Sequence, residues 1–229
     1  MNKSKTTNVI EILLLIITPA TLLFFAFFQI EQSALLTLAV ATISIILFLF
    51  GYERSKPAIK QIVPTAVLGA LAAAGRILFA AVPNFKPVCA ICIIGGIVFG
   101  RRSGFLIGCL AALVSNFFFG QGAWTPWQMY SWGLVGYISG VLADHKLHEN
   151  RIVLYSWAFL SPLLYGFILN SWYIVGFVQP ITLQSALLTY GAGIPLDIIQ
   201  SIATVIFLAA LFEPWKKKLT RIKEKFGVE

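Results

Sequence analysis

The sequence predicts an all-α integral membrane protein with about eight transmembrane helices and with both termini on the cytoplasmic side. Hydrophobic residues make up 59% of the 229 residues and charged residues only 11%, whereas soluble domains carry about 25% charged residues. The apolar residues form long runs without the alternation of a barrel strand, and only helices and closed barrels span lipid. The basic residues cluster between those runs. These observations predict one helical domain embedded in the bilayer.

Eight apolar runs define the predicted helices in chain order. They cover 9–29, 33–51, 61–81, 85–100, 103–119, 127–143, 152–176 and 186–212. Most of them approach or exceed the ~20 residues that a helix needs to cross the ~30 Å hydrocarbon layer. The runs at 85–100 and 127–143 are shorter, so we expect their outer ends to stop below the membrane surface and to leave a hollow there.

The positions of the basic residues predict the orientation of the helices. Eight spans with the N-terminus inside place fifteen of the 17 Lys and Arg residues in cytoplasmic segments, with Lys86 outside and Arg76 within a span. Such an excess of Lys and Arg is typical of cytoplasmic loops. The net charge of +8 therefore follows from the topology, and we do not expect a nucleic-acid partner.

The apolar runs divide the chain into three parts. Residues 1–60 hold two N-terminal transmembrane helices and a cytoplasmic loop, residues 61–212 form a six-span core, and residues 213–229 form a basic cytoplasmic tail. Apolar residues in the tail are three and four positions apart, so we expect an interfacial helix that lies on anionic membrane lipid. A docking element for a cytoplasmic partner is the alternative.

The last span contains a predicted break. Gly193, Pro195 and Asp197 are typical of a helix start, because proline suits the first turn and a carboxylate there is favoured by the positive end of the helix. We therefore expect the spanning helix to begin near Ile194. Residues 177–193 would form an outer loop or a half-helix over the hollow.

Arg76 is the basic residue that the topology places within a span. A charge in the hydrocarbon layer is costly and by default indicates a functional site. Its expected partner is Asp197, which is predicted at a similar depth. An ion pair that frames a cavity and direct contact with a ligand are both open.

The outer segments combine aromatic rings with side-chain amides. From Ser115 to Trp132 the chain reads SNFFFGQGAWTPWQMYSW, without a charged residue. An interfacial belt accounts for some Trp and Tyr, but ligand pockets join aromatic walls to a few polar groups. We therefore predict a site for an uncharged organic molecule. Its candidate residues are Arg76, Asn84, Phe85, Lys86, Asn116, Gln121, Trp124, Trp127, Gln128, Tyr130, Trp172, Tyr190 and Asp197.

Two stripes of small residues follow helical spacing. Ala66, Ala70 and Ala74 are four residues apart and would let another helix approach closely, either within the bundle or from a separate membrane protein. Glycines at 96, 100, 104 and 108 have the same spacing. They predict a tight antiparallel helix hairpin.

The motifs of several enzyme classes are absent from the sequence. It contains no P-loop, no H-E-x-x-H and no G-x-S-x-G, so we predict no catalytic residues and no ATP hydrolysis by this chain. Cys89 and Cys92 lack neighbouring ligands, so we expect apolar packing rather than a metal site. A binding subunit powered by partners fits these features better than a self-sufficient pump.

Residues from about 61 to 212 resemble the substrate-binding S component of energy-coupling factor (ECF) transporters. The resemblance rests on Ala66-xxx-Ala70 leading to Gly75-Arg76, on Phe99-Gly100-Arg-Arg-Ser-Gly104 with Gly108, and on Gly193-Ile-Pro195-Leu-Asp197. Within that family, SNFFFGQGAWTPWQM resembles the branch associated with cobalamin. The two leading helices lie outside the six-span core of the family and have no assigned role.

The resemblance implies a vitamin uptake subunit of the cell membrane, with its ligand site facing outside and cobalamin as the favoured cargo. It implies a transmembrane T protein that meets Ala66 and Ala70, and two cytoplasmic ATPases that use ATP, while the chain itself binds no cofactor. It also implies that the subunit topples to deliver its ligand inward. A queuosine precursor or riboflavin is the alternative cargo. An intramembrane enzyme and a structural protein without a ligand are the competing classes.

Overall fold

The computed structural model describes residues 59–226 without a gap, together with 12–13, 15–21, 24, 28, 38–39, 41–43, 45–46 and 49. Within these residues all the regular elements are helical. The predicted all-α fold of a membrane S component is therefore confirmed. The predicted boundaries near residues 1–8 and 50–58 lie outside the described residues.

Six helices follow one another from residue 59. They are α1 (Ile59–Leu78), α2 (Val88–Phe99), α3 (Arg101–Phe119), α4 (Trp124–Asp144), α5 (Arg151–Phe177) and α6 (Leu183–Phe226), with a 3₁₀ turn at Leu147–Glu149. Each coincides with one of the last six apolar runs. Helices α3, α5 and α6 are long and apolar enough to cross a membrane, and α1 and α2 are shorter apolar helices.

Helix α2 is short because it lies at the centre of the bundle. Eleven of its 12 residues are buried, so its apolar side chains face other helices rather than lipid. Its length of about 18 Å, at 1.5 Å per residue, agrees with the prediction that this element stops short of the membrane surface. Helix α4 begins at Trp124 and contains 21 residues, so it is longer than the apolar run at 127–143 that predicted it.

Helix α6 is continuous, so the predicted break and the predicted start near Ile194 are wrong. It runs through Pro195 and Pro214 and includes most of the basic tail. Transmembrane helices tolerate proline because neighbouring groups and small local adjustments satisfy the freed backbone groups. Its 44 residues correspond to about 66 Å, about twice the hydrocarbon thickness, so α6 extends beyond the bilayer.

The glycines that predicted a tight helix hairpin lie where three helices cross. Gly100 makes the turn between α2 and α3 with φ of 87°, a conformation that favours glycine. A Cβ on Gly96 or Gly104 would lie 2.1 or 2.4 Å from the carbonyl oxygen of Gly136, and one on Gly136 would lie 2.1 Å from that of Gly104. Since no side chain fits there, the glycines bring α2, α3 and α4 into backbone contact.

The described part of the N-terminal region packs against the six-helix core. Leu15, Ala41 and Ile45 are buried in one cluster with side chains of α3, α4 and α5. The hydroxyl of Tyr130 donates a hydrogen bond to the carbonyl of Leu15. The leading helical residues, which had no predicted role, are therefore an integral part of the bundle.

Candidate functional site

A cavity of about 490 Å³ lies between α1, α4, α5 and α6 and under the loop that joins α1 to α2. It combines three aromatic rings with four side-chain amides, two basic groups and one carboxylate, which is the composition of a ligand pocket. Its lining residues are Arg76, Ala80, Pro83, Asn84, Lys86, Phe119, Gln128, Trp132, Tyr165, Gly166, Leu169, Asn170, Gly193, Leu196, Asp197 and Gln200.

Arg76 reaches the cavity from the last turn of α1 and is held by uncharged groups. Its Nη1 donates to Ser115 Oγ and to Asn116 Oδ1, each at 2.6 Å. Its guanidinium lies 4.5 Å from the ring centre of Phe119 and 5.0 Å from that of Trp132. Cation–π contacts and hydrogen bonds to neutral acceptors both stabilise a desolvated cation. The charge is thus accommodated without a neighbouring carboxylate.

The predicted ion pair between Arg76 and Asp197 is not formed, although both residues line the cavity. Arg76 turns its Nη1 atom towards α3, where Ser115 and Asn116 accept its hydrogen bonds. Asp197 lies instead against Gly166, at which a Cβ would come within 2.1 Å of its Oδ2 atom. Asp197 has no hydrogen-bond partner in the described part of the structure, so its carboxylate is free to meet a ligand.

Asn116 connects Arg76 to the amide of Gln128. The side chain of Asn116 is buried, and its Nδ2 donates to Gln128 Oε1 at 2.8 Å and to Thr125 Oγ1 at 2.9 Å. Gln128 Nε2 donates in turn to the hydroxyl of Tyr165 at 3.1 Å. This network extends from the guanidinium on α1, through α3 and α4, to the phenol on α5.

The loop between α1 and α2 closes one side of the cavity. Lys86 Nζ donates to the carbonyl of Val82 at 2.8 Å and to that of Phe79. Partial burial, followed by the positive charge of Arg76, lowers the pKa of Lys86. Asn84, which also lines the cavity, has a positive φ of 51°, a conformation that asparagine tolerates better than most residues.

Glycine and asparagine form the opposite wall, where α5 meets α6. A Cβ on Gly193 would lie 2.6 Å from Asn170 Nδ2, so glycine leaves the space that the amide occupies. Gln200 lies one turn after Asp197 and donates from Nε2 to Cys89 Sγ at 3.6 Å. Gly193, one of the residues that suggested a helix break, therefore gives the amide of Asn170 the space that it needs at the cavity wall.

Five of the thirteen predicted site residues line this cavity. They are Arg76, Asn84, Lys86, Gln128 and Asp197. Asn116 lies directly behind the wall and orients two of them. The three charged side chains of the cavity walls, Arg76, Lys86 and Asp197, were all among the predicted candidates.

The other predicted aromatic residues, on α4, α5 and α6, do not line the cavity. Some of them belong to the buried cluster that includes Leu15, and others are exposed or partly exposed. Trp127 and Tyr130 are almost fully buried, and Trp127 stacks with Trp172 at 6.5 Å between ring centres. Trp124 is 42% exposed. Tyr190 shares a hydrogen bond with Ser171 Oγ at 2.8 Å.

Two further predicted residues support the loops that border the cavity. Phe85 packs against Phe79 and Phe207, with ring centres 6.1 and 5.3 Å apart, and so ties the α1–α2 loop to α6. Gln121 accepts a hydrogen bond from Thr125 at 2.9 Å. Neither side chain lines the cavity.

The cavity is also lined by residues outside the list of thirteen candidates. They are Trp132, Tyr165, Asn170 and Gln200, among others. Gln200 is a buried polar residue three positions after Asp197, and that helical spacing is a usable signal. Tyr165 had no such signal, because it lies in a long apolar run.

The stripe of alanines lies on the surface of the bundle. Ala66, Ala70 and Ala74 are exposed on α1, while Leu68 and Ala72 on the same helix are buried. The alternative in which the stripe packs inside the bundle therefore does not apply to the described part of the chain.

The sequence model of the ECF-type riboflavin transporter S component matches residues 56–217, which include all six helices up to the start of the basic tail. The chain belongs to this family. Members are substrate-binding components of transporters rather than enzymes, and the chain is accordingly a multi-pass membrane protein. The cobalamin branch is not confirmed, since the matching family is of the riboflavin type.

Curated relatives support the family assignment over part of the chain. A UPF0397 protein of Vibrio atlanticus (strain LGP32) is 29% identical over 112 residues, which cover 45% of this chain and 61% of the relative. UPF0397 proteins of two Aliivibrio fischeri strains, MJ11 and ATCC 700601 / ES114, are 32% identical over 98 residues, which cover 41% of the chain and 52% of each relative. The matches thus span between half and two thirds of the curated relatives. No solved structure matches the chain significantly.

Proposed function

We propose that this S component binds a ring compound of about the size of riboflavin in the cavity between α1, α4, α5 and α6. The observation that carries the proposal is the cavity itself, in which about 490 Å³ of space is bordered by aromatic rings and by polar groups from four helices. Pockets of about 300–1,000 Å³ hold drug-sized ligands. The family name supports riboflavin among the candidate vitamins.

Cobalamin, which the sequence favoured, becomes the second candidate. It is several times larger than riboflavin, so most of its corrin ring and side chains would stay outside a cavity of about 490 Å³. The observation in its favour is the segment from Ser115 to Trp132, of which Phe119, Gln128 and Trp132 line the cavity. A queuosine precursor is smaller than riboflavin and stays an alternative cargo.

The polar groups of the cavity suit a flat ring with both donors and acceptors. Trp132 and Tyr165 stack with ring centres 4.9 Å apart and form a rigid aromatic wall. The guanidinium of Arg76 and the ammonium of Lys86 only donate hydrogen bonds, and the carboxylate of Asp197 accepts them. A flavin offers carbonyl oxygens to the first two groups and an imide N–H to the third.

The exposed alanine stripe supports docking to a transmembrane T protein. Ala66, Ala70 and Ala74 leave α1 flat, and Val63, Val67 and Leu71 beside them are exposed apolar residues. Small residues let a second helix approach closely in lipid. In the proposed complex, two cytoplasmic ATPases use ATP, and toppling of the subunit carries the ligand from the outer to the inner side.

Titration of ligands into the purified full-length chain in detergent tests the proposal. We expect saturable binding of riboflavin and weaker or no binding of cobalamin. Asp197→Asn should weaken riboflavin binding by about tenfold, because a charged acceptor is replaced by a weaker neutral one. Glu213→Gln is the matched control, because it removes a carboxylate of the same helix that pairs with Arg151 at 2.8 Å. Tight cobalamin binding without riboflavin binding would reverse the assignment of cargo.

A further inference from the structure

The hydrogen bonds behind the cavity have a direction that can be worked out from Arg76. A guanidinium only donates hydrogen bonds, so the Asn116 atom that it contacts at 2.6 Å is the acceptor Oδ1. The Nδ2 atom of Asn116 consequently faces Thr125 and Gln128. The orientation of an amide is assigned in this way from its network, and here the start of the network allows one choice.

The direction continues to Tyr165. Because Asn116 donates to Gln128 at 2.8 Å, Gln128 presents its Oε1 atom there and turns its Nε2 atom to the Tyr165 hydroxyl at 3.1 Å. An amide nitrogen cannot accept a hydrogen bond, so the Tyr165 oxygen is the acceptor. The hydroxyl hydrogen of Tyr165 then has no acceptor among the described residues. It is available to the cavity, which Tyr165 lines.

We infer that Tyr165 is a specificity-determining residue whose hydroxyl donates a hydrogen bond to an acceptor atom of the ligand. Arg76, Asn116 and Gln128 are positioning residues that set this direction. The inference rests on the proposed function, because it assumes a ligand in this cavity. The stacked ring of Trp132, 4.9 Å away, holds the phenol in place. The ligand is therefore a compound with a carbonyl oxygen or a ring nitrogen next to a flat ring, as in a flavin.

Two variants of the full-length chain in detergent test the inference, with riboflavin as the probe. Tyr165→Phe removes the donor and should weaken binding about tenfold. Gln128→Glu keeps the shape of the side chain but replaces the amide by a carboxylate. The carboxylate accepts hydrogen bonds from Asn116 and from Tyr165, so the phenolic hydrogen turns away from the ligand. It should cause a similar loss. Gln184→Glu is the matched control, because it makes the same amide-to-carboxylate change at an exposed residue of α6 that does not line the cavity.

Non-additivity separates this role from a general loss of packing. The double variant Gln128→Glu/Tyr165→Phe should bind no more weakly than Tyr165→Phe alone, because both changes remove the same hydrogen bond. The flavin absorption bands should shift between the wild-type complex and each single variant, since a carbonyl loses a donor. Gln128→Glu also gives a result if Tyr165→Phe fails to fold.

The possible outcomes distinguish this inference from the proposed function. Wild-type affinity in both Tyr165→Phe and Gln128→Glu would overturn the inference and leave riboflavin binding established. Additive losses in the double variant, or an equal loss in Gln184→Glu, would also overturn it, because the effect would then not pass through the Tyr165 hydroxyl. A wild-type chain that binds no riboflavin would overturn the proposed function and the inference with it.

Discussion

At the scale of single residues, the site depends on side chains that are held by neighbours rather than exposed for binding. Arg76 is half-buried between two rings and two neutral acceptors and has no carboxylate partner among the described residues. Gly166 has no side chain, and this leaves the space that the Asp197 carboxylate occupies. Both charged groups are therefore oriented by the bundle before a ligand arrives, which reduces the ordering that binding must impose.

Gly166 provides a direct test of how Asp197 is positioned. In Gly166→Ala the new Cβ would lie 2.1 Å from Asp197 Oδ2, so the carboxylate must rotate away from its present place. We expect riboflavin affinity to fall by about tenfold, the effect of one lost hydrogen bond, while the protein still folds. Gly191→Ala is the control, since a Cβ there meets nothing within 4 Å. Equal affinities of the two variants would argue against a role of Asp197 in binding.

Trp127 was predicted to contact the ligand, and its place in the structure changes what its removal should do. It is fully buried, stacks with Trp172 and does not line the cavity. Trp127→Ala should destabilise the fold by about 3–5 kcal/mol, the cost of a large cavity in a core. We expect a lower Tm in detergent and unchanged riboflavin affinity of the folded fraction. A loss of affinity at unchanged Tm would return Trp127 to the site.

At the scale of elements, α1 and α6 each serve two purposes along their length. Helix α1 brings Arg76 into the cavity at its last turn and exposes the alanine stripe over the three turns that precede Arg76. Helix α6 carries Asp197 and Gln200 at the cavity and continues into the basic tail. Because α6 is continuous, these cavity residues and the basic tail belong to one helix.

The exposed stripe of α1 can be tested separately from the cavity. Ala70→Trp should block riboflavin uptake by the assembled transporter, because the indole prevents close approach of another helix. Binding by the isolated chain should stay intact, since Ala70 does not line the cavity. Ala209→Trp, at an exposed alanine of α6, is the control and should transport normally. Wild-type uptake by Ala70→Trp would refute the docking assignment.

At the scale of the whole molecule, two packing centres hold the bundle together. The first surrounds α2 and includes the glycine crossing with α3 and α4. The second joins Trp127, Tyr130 and Trp172 to residues of the N-terminal region such as Leu15. The cavity lies beside the first centre, where close helix contact fixes the positions of its walls.

The glycine crossing should be the part of the fold that is least tolerant of substitution. A Cβ on Gly136 would lie 2.1 Å from a backbone oxygen of α3, and backbone cannot move aside as a side chain can. Gly136→Ala should therefore yield little monodisperse protein in size-exclusion chromatography in detergent, while Gly191→Ala should yield normal amounts. Normal folding of Gly136→Ala would show that the helices can separate at this point.

The sequence by itself determined the fold class, the six core helices and the family, because lipid permits few architectures and hydropathy along the chain reports where helices lie. It also predicted five residues that line the cavity, since charged and amide groups within or beside apolar runs are conspicuous: Arg76, Asn84, Lys86, Gln128 and Asp197.

Only the tertiary structure decided which of these groups meet. The rotation of each helix places Trp127 in the core and Tyr165 at the cavity, and both lie among apolar residues that look alike in sequence. The continuity of α6 and the Gly166–Asp197 contact likewise depend on distances between helices. Packing against neighbours sets those distances, and no local pattern of residues encodes them.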